Sequence, residues 1–398
     1  IWDAHVVADL GEDGQLVHID RHILHEASSP QAFDRLRAKG RPVSRPDLTF
    51  ATIDHIVSTA PGRTGATFTG GIELVDAVRR NCEEFGVRLF DLDDPRQGIV
   101  HIVAVERGIA LPGCTVACGD SHTSTMGGIG ALAWGAGASE VEHVLTTQTM
   151  VRRRPATMRV TFDGLPEPGV SGKDLILHLI GSVGTAGGAG HVVEYAGPTI
   201  TALPVEGRLT VCNMSVEFGA RAGLIAPDAA TIDYVAGRDF APNGTLWDDA
   251  VAYWSTLRSD DGAVFAREVA LDCQGLKPQI TWGTSPQYVT AVDGRVPTPD
   301  EAFGAAEDAA RALEYMGLIP GTPLADIPVD VVFIGSCTNS RLSDFEEAAR
   351  VIDGRTVAPG VRALAVPGSR AVKDAAEAKG LDRVFTAAGF EWREPGCS

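Results

Sequence analysis

The chain has 398 residues, 44% hydrophobic and 22% charged, with 34 Lys plus Arg against 52 Asp plus Glu and a formal charge of −18. That length exceeds what one hydrophobic core usually supports, so two or three domains are expected, and the composition excludes disordered and fibrous classes. The acidic balance argues against nucleic acid and anionic membranes as partners, and no apolar run approaches the roughly 20 residues that span a bilayer.

The opening IWDAHVVADLG lacks the basic-then-apolar layout of a signal peptide, which makes a cytoplasmic enzyme the expectation. It starts in the middle of an amphipathic pattern, as a trimmed chain would. Strand-like apolar runs then alternate with helix-like segments almost throughout, the pattern of α/β layers around parallel sheets. TIDHIVST sets Asp54 beside His55, where a carboxylate can orient and charge an imidazole. GIVHIV puts His101 in an apolar, strand-like run. GCTVACGDSHT (113–123) reads as a buried strand entering a polar turn that carries Asp120, Ser121 and His122. A hydrolase triad is not favoured there, because triad members are assembled by the fold and seldom follow one another in sequence.

From about residue 155 the texture changes. TMRVTFDGLPEPGV reads as a hairpin, Ser171 with Asp174 caps a helix, and the glycine-rich GSVGTAGGAG (181–190) follows that helix. A phosphate-binding loop leaves a strand and opens a helix, so a loop or a tight backbone contact is the better reading. CNMSVEFGA carries Asn213 and Glu217 four residues apart, on one face if helical. Pro278 to Pro299 reads as a loop-rich linker. Boundaries near 155 and 285 divide the chain into domains 1–155, 156–285 and 286–398.

In the last domain VDVVFIGSCTNS (329–340) is a strand run ending in Gly-Ser-Cys, and Ser343 with Glu346 has the spacing of a capping box. Cys337 therefore lies between a strand's carboxyl end and a helix, where open α/β sheets hold ligands. VRALAVPGSRAVKDAAEAKG is another strand, turn and helix, closed by Gly380, and the apolar stretch RVFTAAGFEW leads to Cys397. Cys337 and Cys397 would thus follow strands of one sheet and converge. Cysteines 82, 114, 118, 212 and 273 read as core residues, with a metal pair at Cys114 and Cys118 left open. Taken singly, each histidine is better explained as a satisfied core or capping residue than as a catalytic one; four such clusters with acids adjacent bring the two readings level.

FIGSCTNSR closely resembles the first cluster-cysteine signature of the aconitase superfamily, and EPGCS resembles the opening of its second, P-G-C-x-x-C. The resemblance continues through IDRHILHE, TFATIDH, QGIVH, CGDSHT, SEVEHVLTTQT, AGGAGHVVEY and CNMSVEFGA. It is greatest to the branch that interconverts 2-isopropylmalate and 3-isopropylmalate through isopropylmaleate in leucine biosynthesis. This resemblance implies an aconitase-like α/β fold of three α/β/α subdomains around parallel or mixed sheets. It also implies a [4Fe-4S] cluster on three thiolates, with the fourth iron free for substrate. Cys337 matches the first ligand and Cys397 the second. The third would lie three residues after Cys397, beyond Ser398, so this chain by itself is expected to lack an intact cluster.

The family's three acid–histidine pairs fall on Asp54 with His55, Asp120 with His101, and Glu217 with His122. Ser121 matches a substrate-contacting serine, Asn213 an asparagine near the cluster, and His25 and Glu26 residues close to the substrate. The acid matches His55. The base is a serine on a swivelling domain, which in this branch is a separate small subunit, so no residue of this chain is expected to be the base. The implied partners are that subunit and a small dicarboxylate or tricarboxylate hydroxy acid. Related split hydro-lyases acting on homoaconitate, citramalate or dimethylmalate stay open, as does an inert apo form. RNA binding by a cluster-free form is opposed by the acidic balance.

Overall fold

A computed structural model describes residues 1–397. Among them are three parallel sheets, each built from one stretch of the chain. The first has the strand order Arg88–Phe90, Thr49–Thr52, Arg21–His25, Thr115–Cys118, Leu132–Gly135, all parallel. The chain winds outward one way from Arg21–His25, then returns to that strand's other side at Thr115–Cys118. Ligand sites of open α/β sheets form at such a reversal, outside the carboxyl ends of the strands. The central strand is buried on both faces: Leu24 joins one apolar core with Phe33, Val75 and Val141, and Ile23 joins another with Phe50, Val103 and Ile129. Each such fully buried Ile or Phe contributes about 2 kcal/mol relative to exposure.

The second sheet has the order Ala222–Leu224, His191–Ala196, Ala156–Asp163, Arg267–Asp272, again parallel. The expected hairpin after residue 155 does not form, because Ala156–Asp163 takes a parallel partner on each edge and turns away at Gly164. Helix Gly172–Val183 begins as read, with the Asp174 carboxylate accepting from the Ser171 N–H and hydroxyl. The glycines after it serve close packing: a Cβ on Gly187 would sit 2.2 Å from the Phe218 ring. The segment read as a linker holds an antiparallel hairpin, Gln279–Thr281 with Val289–Ala291.

The third sheet pairs Val331–Ile334, Arg362–Ala365 and Phe390–Trp392 in sequence order, with helices Leu342–Ile352, Arg370–Ala378 and Leu381–Ala388 between and beside them. Two local expectations change here. Helix Leu342–Ile352 starts with the Asp344 carboxylate accepting the Arg341 N–H at 2.8 Å, while Ser343 turns to Glu206. The stretch before Cys397 is mostly the helix Leu381–Ala388, stopped at Gly389 with φ of 98°.

GIVHIV is also not a strand: Val100–Glu106 is a helix. Its β-branched composition favours a strand, but the Asp54 carboxylate accepts the Val100 N–H at 3.0 Å and holds the helix start. Packing of its apolar side chains into the core of the first sheet does the rest. No helix among the described residues is long and apolar enough to cross a membrane.

Candidate active site

Three loops at strand carboxyl ends meet. Asp54 and His55 follow strand Thr49–Thr52, Asp120 to His122 follow Thr115–Cys118, and Cys337 follows Val331–Ile334. Cys397 arrives after Phe390–Trp392, His101 from its helix, and Asn213 as the last residue of helix Val205–Asn213. Backbone bonds join the first and third sheets here: Cys397 N–H to Asp54 O at 2.8 Å, Glu394 N–H to Thr59 O at 2.7 Å and Ile99 N–H to Gly368 O at 2.8 Å.

Asp120 is the hub of the polar side. Its Oδ2 lies 2.6 Å from His55 Nε2 and its Oδ1 3.2 Å from His101 Nε2. The same Oδ1 accepts the His122 backbone N–H at 2.7 Å, which starts the turn Ser121–Ile129. His55 Nδ1 meets Asp54 Oδ1 at 2.7 Å, and His122 Nε2 meets Glu217 Oε1 at 2.9 Å. All three acid–histidine pairs are thus within contact, and a fourth contact, His55 with Asp120, links two of them. Glu217 does not share a helical face with Asn213. The helix ends at Asn213, and Glu217 reaches His122 from the turn that follows.

Burial opposes charge on Asp120, but His101, His122 and His55 hold its carboxyl far below the usual range. Burial also works against charge on His55, yet Asp54 and Asp120 push it up to about 11. His122 rises to about 10 through Asp120 and then Glu217. His25 behaves oppositely. Burial brings it down to about 4, so it is neutral, and it stacks on the His55 ring with centroids 4.1 Å apart. Glu26 is fully buried and accepts backbone N–H groups of the His55 loop. Ser121 is exposed, with its Oγ 3.4 Å from His122 Nδ1. It lines a cavity of about 760 Å³ with Val216, Arg152, Arg153 and Arg221, within the size range of small-ligand sites.

The sulfur side is built differently. Ser336, just before Cys337, has φ of 69°, a left-handed conformation that a residue with a Cβ adopts at a cost of about 1–3 kcal/mol. It turns the chain so that Cys337 packs with Ile99 and Ile102, against Cys397. The Asn213 amide donates to Cys337 Sγ at 3.2 Å and to Thr125 Oγ1 at 2.8 Å, while its oxygen accepts from Thr338 Oγ1 at 2.9 Å. A hydrogen bond from Cys397 lowers Cys337 to about 5 despite burial, with help from His101, His122 and Asn213; Cys397 is correspondingly pushed up. One proton shared by two thiols beside the protonated His122 is an environment suited to thiolate ligands. In contrast, burial pushes Cys82 up to about 12, Cys114 and Cys273 to about 11, and Cys118 and Cys212 well above the usual thiol range. Those five remain core thiols.

Residues that hold this arrangement without a motif of their own were not anticipated. Arg341, 3% exposed, donates to Thr338 O at 2.9 Å and Cys337 O at 3.4 Å. Arg63 donates to Pro395 O, to Ser58 O at 3.2 Å and to Gln97 Oε1 at 3.0 Å. Arg341 is the last residue of FIGSCTNSR, so the motif itself could have flagged it; nothing local marks Arg63.

Comparison with known proteins places the chain in a family. A family model described as "Aconitase family (aconitate hydratase)" matches residues 1–398. The chain is 58% identical, over 400 residues, to the 3-isopropylmalate dehydratase large subunit 1 of Bradyrhizobium diazoefficiens, covering all of this chain and 84% of that protein. The crystal structure of holo-form aconitase X from Thermococcus kodakaraensis is similar in fold, with a TM-score of 0.50 at 14% identity, covering 96% of this chain and 79% of that one. With a whole-length family match, a close relative and an aconitase-like α/β fold, this chain belongs to the aconitase family.

Proposed function

We propose that this chain works as the large subunit of a hydro-lyase that interconverts 2-isopropylmalate and 3-isopropylmalate through isopropylmaleate, a step of leucine biosynthesis. The 58% identity to a 3-isopropylmalate dehydratase large subunit supports the substrate. The observation that carries the chemistry is Asp120 in contact with His55, His101 and His122 beside the Cys337–Cys397 pair.

Membership of the aconitase family implies an iron–sulfur cluster. The residues fit one: two adjacent sulfurs in an apolar pocket, one inclined to thiolate, with Asn213 donating to it. Cys337 and Cys397 would hold a [4Fe-4S] group. When bound, that group supplies a Lewis acid for a hydroxyl and a carboxylate of the substrate.

Moving a hydroxyl between adjacent carbons requires a proton for the departing oxygen. His55 holds that proton, with Nδ1 fixed by Asp54. Its Nε2 is engaged by Asp120 and must exchange that oxygen for the substrate's to donate. The exchange removes one of the two anions that raise its pKa, so the imidazolium becomes a better acid as it engages substrate. His101 holds Asp120 from the buried side, and His122 with Glu217 forms a second acid–histidine pair beside the exposed Ser121, the substrate-contacting group. The carbon acid's proton goes to a base on a small-subunit partner, whose involvement is supported by the relative's designation as a large subunit.

The test is reconstitution with a small subunit, iron and sulfide, followed by assays on 2-isopropylmalate, homoaconitate, citramalate and dimethylmalate. Preferential turnover of 2-isopropylmalate is expected. Preference for another of these acids would overturn the substrate, and failure of His55→Gln to lower kcat would overturn the acid.

A further inference from the structure

We infer that Glu26 is a positioning residue that fixes the backbone of the acid loop, and hence the direction in which His55 presents its proton. The observations are local. Strand Thr49–Thr52 ends just before Asp54, so the following N–H groups have no strand partner. Glu26 Oε2 accepts from Asp54 N–H at 3.1 Å, and Oε1 accepts from His55 N–H at 2.7 Å and from Ile56 N–H. Three successive N–H groups of one loop thus converge on a single carboxylate, a concave arrangement that binds anions. Glu26 is 0% exposed, and both oxygens are occupied by backbone donors. Its complete burial leaves no surface for a substrate and separates it from a direct binding role.

The neighbouring His25 grips the same loop from another side, its neutral ring stacked on that of His55 with an interplanar angle of 21°. His25 ends the central strand Arg21–His25, buried from His22 onward, and Glu26 directly follows it. The rigid core thereby sets the orientation of a catalytic ring on a loop. The side chain matters as an acceptor through both oxygens. A Gln at this position would turn an NH2 toward one or two N–H donors, and an Asp would withdraw the oxygens by one bond.

This inference rests on the reading of His55 as the acid. The experiment uses the large subunit reconstituted with its small subunit and cluster, carrying Glu26→Gln and separately Glu26→Asp. Misplacement of a reacting group by about 1 Å costs on the order of 100-fold. Glu26→Gln is therefore expected to lower kcat by about 10- to 100-fold with KM within about 3-fold, and Glu26→Asp by less. In histidine-labelled protein the His55 backbone amide proton should move upfield in Glu26→Gln. A rise in KM at unchanged kcat would overturn the inference in favour of substrate contact. So would an unmoved His55 amide resonance, or a kcat per folded site equal to wild type. The amide measurement needs no turnover, so it still decides the inference if the enzyme proves to act on another acid or His55 proves not to be the donor.

Discussion

The two halves of the site achieve order by different means. The acid–histidine half belongs to the first sheet and the turn at Glu217, and its side chains contact one another: Asp54, Asp120 and Glu217 against His55, His101 and His122. The sulfur half lies on loops of the third sheet, with no such internal pairing. Its geometry is imposed by neighbours, namely Asn213, Thr338, Arg341 and the left-handed Ser336. The first half is therefore a network of acid–histidine contacts, and the second is a pocket in which two sulfurs are held in place by the residues around them.

The difference can be broken most directly at the hub. Asp120→Asn loses anionic contact with three histidines at once, and kcat is expected to fall by about 10²- to 10⁴-fold, followed through the ultraviolet absorbance of the unsaturated intermediate. Activity of that variant within about tenfold of wild type would mean the network is structural only. On the sulfur side, Cys337→Ser is expected to abolish iron retention in metal analysis while circular dichroism stays unchanged. Cys118→Ala, in the core, should retain iron and activity and cost about 1–2 kcal/mol in denaturant unfolding. Equal iron loss in both would erase the distinction between the two kinds of cysteine.

Smaller effects come from titration. His22 and His25 are buried and neutral, brought down by burial to about 3 and about 4. The unfolded chain takes up protons near pH 6.5 and the folded chain does not. Their contribution is therefore complete above that pH and is lost as pH falls toward those values. Between pH 7 and 5 the loss is roughly 2 kcal/mol for each, read as a falling urea midpoint, and His22→Phe should remove about half of that slope. His55 has the opposite sign: its pKa is raised to about 11, so its contribution is complete below about 6.5 and is lost as pH rises through about 11. A high-pH decline that is weaker in His55→Gln checks it.

Much of the acid–histidine half was legible because its residues sit in short motifs directly after strand runs, as in TIDHIVST and CGDSHT. Convergence of Cys337 and Cys397 was legible from two strand–loop units of one sheet. The helix at GIVHIV was not, since its local composition favours a strand and the deciding contact comes from Asp54, far away in sequence. The route of Glu217 to His122 was hidden for a similar reason: a turn, rather than helical periodicity, delivers it. Arg63 and Arg341 act on carbonyls of distant or irregular segments, and such contacts leave no periodic trace.

The bonds that join Cys397 to Asp54, Glu394 to Thr59 and Ile99 to Gly368 run from main chain to main chain. They specify where peptide groups lie and are indifferent to which side chains those groups carry. Adding or deleting one residue between Asp54 and Thr59, or between Trp392 and Cys397, would shift the pairing and pull His55 away from the sulfurs. At this seam, loop length is the quantity the pairing depends on.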